Sequence, residues 1–186
     1  MAAARAPERI ETARLVLRRP RASDCEAIFS RYSSDPEVTR FLGWPMHRSL
    51  DQTRAFLRFS EAEWQRWPAG PFLIEARPGS TLLGGTLIGG TGLAFETPFR
   101  ASTGYVLAHD AWGAGYASEA LRAMVALAAD LRVRRLYALC HPDHPASQRV
   151  LERCDFAREG VLRRHTEFPN LQPGEPADVL CYARVF

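Results

Sequence analysis

Trp112-Gly113-Ala114-Gly115-Tyr116-Ala117-Ser118-Glu119-Ala120 is the stretch on which the reading of this chain turns. The apolar run Gly104-Tyr105-Val106-Leu107-Ala108 before it reads as a strand, and Tyr116 to Ala129 after it reads as a helix. Two glycines at the junction let backbone approach a ligand closely and turn sharply into the helix. The first N–H groups of that helix have no internal partner, and the helix dipole adds partial positive charge there. Such a junction suits a phosphate group. Leu121, Met124, Val125 and Ala128 recur at i, i+3, i+4 and i+7, which gives the helix one buried face.

Working outward, Arg14 to Arg18 reads as a first strand. Ser23-Asp24-Cys25-Glu26 has the form of a capping box and predicts a helix to about Tyr32; Ser49 and Gln52 predict another from Thr53 to Trp67. Pro68-Ala69-Gly70-Pro71 ends that helix, Phe72 to Arg77 is a strand, and Pro78-Gly79-Ser80 a turn. The Gly-rich run Leu82 to Phe95 predicts a strand with a bulge or a close backbone approach, and Ser102 to Ala108 the strand before the glycines. Beyond the glycine helix come a strand from Arg134 to Cys140 and a short helix from Ala146 to Cys154. Strands from Phe156 to Arg163 and from Ala177 to Phe186 close the chain, joined by a Pro/Asn/Gly loop over Phe168 to Pro176. The order β-α-α-β-β-β-α-β-α-β-β fits an α+β or mixed α/β domain, and no linker or repeat divides residues 1–186.

Composition narrows the chemistry. With 186 residues, 46% hydrophobic and 24% charged, the chain suits one globular domain, and a net charge of +3 argues for no nucleic-acid partner. All 24 basic residues are Arg. Without Lys, a Walker-type phosphate loop and a Schiff-base enzyme are both excluded. Cys25, Cys140, Cys154 and Cys181 form no CxxC pair, which suggests a reduced, cytoplasmic set of thiols. Residues 1–10 have no apolar core like that of a signal peptide, and the longest apolar run, Ala123 to Ala129, is too short to span a bilayer.

Three readings of the glycine junction follow. A dinucleotide fingerprint would use Gly113 and Gly115, but Ser118 stands at its third glycine, and the short turns between the preceding strands suggest antiparallel pairing. A purely structural turn would need two glycines and nothing more. The third reading is a coenzyme A site. Trp112 to Ala117, followed by Ser118-Glu119-Ala120-Leu121, resembles the pyrophosphate loop of the GNAT N-acetyltransferase superfamily. The form with Trp in place of the more usual Gln or Arg is similar to the branch of ribosomal-protein N-terminal acetyltransferases. Arg14 to Arg18 resembles that branch's opening strand, Pro36 to Trp44 its loop between the first two helices, and Leu87 to Gly92 its central hairpin.

A second landmark carries the resemblance further. His141 to Phe156 resembles the family's Asn-x-x-Ser helix followed by Gly-Phe, with His144 where Asn is usual and Asp155 where Gly is usual. Leu151 stands where many other members carry a Tyr general acid; this branch often lacks it, which makes Ser147 the candidate donor to the coenzyme sulfur. Read from the residues alone, Ser147 is also a plausible N-cap for a helix from Gln148. His141-Pro142-Asp143-His144 has the residue types of a metal site, but Pro142 breaks any regular helix and no metal is expected.

The resemblance implies a mostly antiparallel sheet of about seven strands flanked by about four helices, and acetyl-CoA as co-substrate. It places the coenzyme against Tyr105, Val106, Leu107, Trp112, Gly113, Ala114, Gly115, Tyr116, Ala117, Ser118, His144 and Ser147. It implies catalytic roles for Leu107, through its backbone N–H, for Ser147, and for Glu167 as base, with Glu96 and His165 as other candidate bases. Tyr105, Trp44, Trp64 and Trp67 are candidates for lining the acceptor pocket. The acceptor is expected to be a primary amine, either a peptide N-terminus or a small molecule such as an antibiotic or polyamine. A coenzyme A-binding module without turnover is the other function compatible with the His144 and Asp155 departures. A monomer or homodimer in the cytoplasm, without membrane or nucleic acid, completes the expectation.

Overall fold

The computed structural model describes residues 5–79 and 85–186. In chain order the elements are β1 (Arg9–Glu11), β2 (Leu15–Arg18), α1 (Cys25–Ile28), α2 (Pro36–Thr39), α3 (Leu50–Arg66), β3 (Pro71–Ala76), β4 (Leu87–Thr97), β5 (Arg100–Leu107), α4 (Tyr116–Asp130), β6 (Arg135–Cys140), α5 (Pro145–Arg153), β7 (Ala157–Glu167) and β8 (Pro176–Val185). The strands form one eight-stranded sheet in the order β1-β2-β3-β4-β5-β6-β8-β7. Every neighbouring pair is antiparallel except β5 with β6.

α4 packs against β2, β4 and β5, whereas α1 and α3 pack with each other beside β3 and β4. The larger core joins Leu15, Leu17, Phe72, Ile74 and Ile88 of the sheet to Leu121, Met124 and Ala128 of α4. A smaller core gathers Ile28, Tyr32, Val38, Leu73 and Leu87, with Val106 against it. Among the described residues no helix is long and apolar enough to cross a membrane.

The expected mostly antiparallel sheet is present, with one strand more than the seven expected. The addition is β1, three residues whose partner β2 lies just beyond a tight turn. α2 was also not foreseen, although Asp35 and Pro36 carry its signal. The Asp35 carboxylate accepts from the Glu37 and Val38 N–H groups, and Pro36 occupies the first turn.

Two capping expectations need correction. Helical structure near Ser23 begins at Ala22, so the capping box falls two residues earlier than expected, with Asp24 accepting from the Arg21 N–H at its start, and Asp24 also joins an ion cluster. Its carboxylate receives the Arg18 guanidinium at 2.7 and 2.8 Å and the Arg21 N–H at 2.7 Å, while Arg18 also reaches Glu75 at 2.7 Å. Burial opposes the Asp24 charge, but these bonds outweigh it and its pKa is lowered. At α3, Ser49 makes no side-chain cap; Gln52 instead accepts from the Arg48 N–H.

The close approach expected in the glycine-rich strand is real. The β3–β4 register shifts between Ile74 and Glu75, and a Cβ on Gly89 would lie 2.0 Å from the Val106 carbonyl oxygen. Residues 80–84, which include the end of the expected turn and the first part of the expected strand, lie outside the described residues.

The sheet positions the site by coming apart. β5 pairs with β4 along its whole length, from Arg100 to Leu107, but pairs with β6 only over Arg100–Ser102 against Arg135–Tyr137. β6 continues to pair with β8 as far as Cys140. From Thr103 onward, β5 and β6 therefore diverge into a wedge. The Ala108 N–H donates to the Ile88 carbonyl at 2.8 Å. Alternation along an antiparallel pair then turns the backbone groups of Val106 and Gly104 toward β4, and those of Leu107, Tyr105 and Thr103 toward the wedge. A parallel contact of three residues in an otherwise antiparallel sheet removes the dinucleotide-fold reading.

Candidate active site

The glycine loop sits at the mouth of the wedge. Gly113 and Gly115 have φ of +75° and +81°, a left-handed conformation that L side chains resist. Gly115 is the N-cap of α4 and no side chain caps the helix. The N–H groups at the start of α4 thus have no side-chain acceptor. Tyr116 and Ser118 are buried at 1% and 7% exposure, so their backbone rather than their side chains is available there.

Residues distant in sequence brace this loop. The Glu119 carboxylate accepts from the Thr12 hydroxyl at 2.6 Å, the Arg14 N–H at 2.8 Å and Arg14 Nε at 2.7 Å. Arg14 also donates to the Ala114 carbonyl at 2.9 Å, and its guanidinium lies 4.6 Å from the centre of the Tyr116 ring. Burial alone would raise the Glu119 pKa; the hydrogen bonds from Thr12 and Arg14 outweigh it, and the pKa is lowered. The pairing neutralises a carboxylate in the first turn that would otherwise repel any anion at the start of α4. Neither Arg14 nor Glu119 was given this role by the sequence, which shows them 105 residues apart. Trp112, half exposed, donates its indole N–H to the Leu107 carbonyl at 2.8 Å, and so ties the loop back to the end of β5.

Inside the wedge, the Leu107 N–H faces the opening and Tyr105 crosses it. The Tyr105 hydroxyl lies 2.9 Å from Ser147 Oγ and 3.2 Å from the Ser147 carbonyl. Burial raises the phenol pKa well above its ordinary value, more than the Ser147 bond lowers it. Ser147 is not an N-cap: α5 starts at Pro145 with His144 as N-cap, which places Ser147 within the first turn. Cys140, at the end of β6, is buried, and burial pushes its thiol pKa up. Val106 is not brought into this group, because its backbone pairs with Gly90 and its side chain packs on the smaller core.

The open end of the wedge is crossed by the chain between α2 and α3. Phe41 stacks on His144 at 4.7 Å and lies 5.1 Å from His141, whose ring meets the edge of Phe168 at 4.7 Å. Burial, and then the neighbouring His141, lower the His144 pKa and favour a neutral ring. Asn170 fastens the crossing: its Oδ1 accepts from the Met46 N–H at 2.8 Å, and its Nδ2 donates to the Thr39 and Trp44 carbonyls at 2.8 and 2.9 Å. Glu167, exposed at the end of β7, accepts from the Gly174 N–H at 2.9 Å and lies beside Gly43.

The remaining candidates lie elsewhere. Glu96 pairs with Arg100 and Tyr137 beside the closed end of the wedge, and His165 is on the exposed strand β7. Trp64 and Trp67 belong to the larger core, edge-on to Phe72 and stacked on Phe95 respectively; they do not line the mouth. Asp155 has φ of +61°, which is why glycine is usual there; Asp tolerates this region better than most residues, and its carboxylate pairs with Arg184 at 3.1 Å. Among the described residues no three His, Cys, Asp or Glu side chains converge as a metal site.

The comparisons agree with this geometry. The family model for the acetyltransferase (GNAT) domain matches residues 14–157. The Bacillus subtilis protein YoaA, an uncharacterized N-acetyltransferase, is 34% identical over 177 residues, which cover 95% of this chain and 96% of that protein. Among solved structures, RimL, a ribosomal-protein alpha-N-acetyltransferase in complex with coenzyme A, superposes with a TM-score of 0.82 at 25% identity, covering 96% of this chain and 98% of RimL. The microcin self-immunity acetyltransferase MccE, solved with acetyl-CoA and AMP, gives 0.83 at 20% identity, covering 97% and 98%, and at that identity shows the shared fold. With the wedge, the glycine loop and the matched domain in agreement, this chain belongs to the GNAT family of acetyl-CoA-dependent N-acetyltransferases.

Proposed function

We propose that residues 1–186 form one catalytic unit that acetylates the α-amino group of a peptide N-terminus, working in the cytoplasm. The observation that carries the choice of acceptor is the make-up of the wedge mouth. Phe41, His141, His144 and Phe168 dominate it, with Glu167 at its edge, and such a surface suits one weakly basic amine better than a polycation. Of the nearby acids, Asp110 pairs with Arg31 at 2.8 Å, Glu37 and Glu175 lie 3.4 and 3.9 Å from His109 and Arg164, and Asp143 is exposed between the two histidines, too few and too scattered to hold a polycation. The likeness to RimL supports the same reading.

The residues present fit the coenzyme. The left-handed glycines and the uncapped start of α4 would hold a pyrophosphate, and the wedge-facing backbone of Tyr105 and Leu107 would take an extended arm along the strand edge. Acetyl-CoA, when bound, supplies an activated acetyl group as a thioester. The Leu107 N–H is a fixed donor for a carbonyl oxygen lodged at the end of β5; one such donor is worth about 3–4 kcal/mol in a protease oxyanion hole. Ser147 Oγ–H is the donor on the sulfur side. Glu167 accepts the amine's proton or orients the amine. An α-amine titrates near pH ~7.7–8.0, against ~10.4 for Lys, so modest base assistance suffices.

The test is a panel of short peptides, aminoglycosides and spermidine incubated with acetyl-CoA, read by thiol release and mass spectrometry. Acetylated peptide N-termini, with activity rising to about pH 8 and then levelling, support the proposal. Rapid acetylation of the small amines with none on peptides overturns the acceptor and leaves the family chemistry in place. Coenzyme binding without transfer to any amine returns the reading of a module without turnover.

A further inference from the structure

Leu151 occupies the position where many members of this family carry a tyrosine, and it is buried at 1% exposure. A phenol nevertheless reaches the same neighbourhood from the opposite wall of the wedge. Tyr105 comes from β5 and Ser147 from α5, 42 residues later, and their hydroxyl oxygens are 2.9 Å apart. The Ser147 carbonyl, at 3.2 Å, is a second acceptor for the same phenol, so both acceptors within reach of the Tyr105 proton belong to Ser147.

Two arrangements of a hydroxyl pair have different consequences. If Ser147 donates to Tyr105, its only proton is spent inside the pair. If Tyr105 donates to Ser147 Oγ, the serine keeps its own O–H for a third group, and accepting one bond strengthens the one it gives. The chemistry of the two groups favours the second arrangement: a phenol is more acidic than an aliphatic hydroxyl, so it is the better donor and the poorer acceptor of the pair. Burial keeps the phenol protonated well beyond neutral pH. Burial likewise raises the pKa of the adjoining Cys140 thiol, more than its hydrogen bond with Ser147 lowers it, so the sulfur beside Ser147 is a neutral and weak acceptor that competes poorly for the Ser147 proton.

We propose that Tyr105 is the positioning residue of the sulfur side: its phenol donates to Ser147 Oγ and leaves the Ser147 O–H free to donate into the wedge. The proposal rests on the role given to Ser147 above. No bond within the pair forms or breaks, and neither hydroxyl loses its proton overall. The pair offers one hydrogen bond to charge that develops on the departing sulfur, while the amine's proton leaves through Glu167 or water and the thiolate is reprotonated from solvent.

Tyr105→Phe removes the phenolic oxygen and fills the same space. The expected result is a kcat lowered about 10-fold, with acetyl-CoA affinity by calorimetry and acceptor KM both within about twofold, as for an interaction that matters only in the transition state. Ser147→Ala should lower kcat at least as much, and the double variant Tyr105→Phe/Ser147→Ala should fall no further than Ser147→Ala alone, because the two residues act as a unit. A wild-type kcat in Tyr105→Phe overturns the proposal. So does a double variant whose loss is the product of the two single losses, or a loss of coenzyme affinity as large as the loss of kcat, which would mark Tyr105 as a brace of the wedge. If the unaltered enzyme transfers acetyl to peptides and only these signatures fail, Tyr105 alone is misassigned; if it binds acetyl-CoA and transfers to no amine, the function and this proposal fall together.

Discussion

The glycine loop and the wedge mouth lie at one end of the same sheet but are built by opposite means. The loop owes its shape to consecutive residues: two left-handed glycines, then a helix start whose N–H groups have nowhere else to go. Its long-range help, from Arg14 and Glu119, steadies a form already written locally. The mouth has no local code. It exists because Asn170 holds a segment about 125 residues earlier, through bonds to Met46, Trp44 and Thr39, and because Phe41 lies on His144. Local sites tolerate change around them and fail when their own residues change; assembled sites fail when any contributor is lost.

The largest test breaks the loop at its own residue. Gly115→Asp puts a Cβ into a left-handed conformation, at a cost below the ~1–2 kcal/mol of most residues because Asp tolerates this region, and sets a negative charge where the pyrophosphate is proposed to sit. Acetyl-CoA affinity, measured by calorimetry, should fall about 100-fold or more, with the remaining fold intact by circular dichroism. Undiminished affinity would remove the loop from the coenzyme site.

Asn170→Ala tests the mouth. Three hydrogen bonds go and two carbonyls lose a donor, so the acceptor KM should rise about 10-fold while acetyl-CoA affinity changes by less than about twofold. An equal loss of both would mean that the two regions are one mechanical unit. Arg14→Ala should have the converse effect, weakening acetyl-CoA about fivefold by leaving Glu119 unneutralised near the anion, with little change in acceptor KM. Glu119→Gln should be milder, since removing the carboxylate also removes the repulsion.

pH sharpens the contrast further. Burial lowers the His144 pKa, so the folded chain favours the neutral ring. That contribution is fully present above the unfolded value of about 6.5 and is lost as pH falls through the lower folded value. Melting temperature should therefore drop as pH falls below about 6.5, and drop less in His144→Asn. A residual slope is expected from His47, whose pKa burial also lowers. Identical slopes in the two proteins would dissociate His144 from the Phe41 stack. The smallest effect is expected at Asp155→Gly, which relieves a left-handed φ but loses the Arg184 ion pair and some chain stiffness. Stability should change by less than about 1 kcal/mol in either direction in denaturant titration, and coenzyme affinity should not move.

Much of the fold was legible. The strand before the glycines, the helix after them and the final hairpin follow from periodicity and from Gly and Pro punctuation, and the structure places them within a few residues of expectation. The losses were specific. Ser23 and Ser49 looked like caps, but the first box is set two residues earlier by Arg21 and Asp24, and Gln52 takes the Arg48 N–H while Ser49 caps nothing, choices among close neighbours that residue type alone does not settle. Trp64 and Trp67 looked available for an acceptor pocket, but their partners Phe72 and Phe95 lie on the sheet and draw them into the core. β1 is three residues long, below the length at which alternation is a signal.

By itself the sequence determined the glycine junction, the helix behind it and the succession of the longer strands along the chain, because each of these is a property of neighbouring residues and their backbone preferences. Only the tertiary structure decided that β5 and β6 part after Ser102, that Tyr105 meets Ser147 across the gap, that Arg14 neutralises Glu119, and that Asn170 closes the mouth. Those features depend on sheet register and on hydrogen bonds between residues 42 to 131 positions apart, which no local pattern encodes.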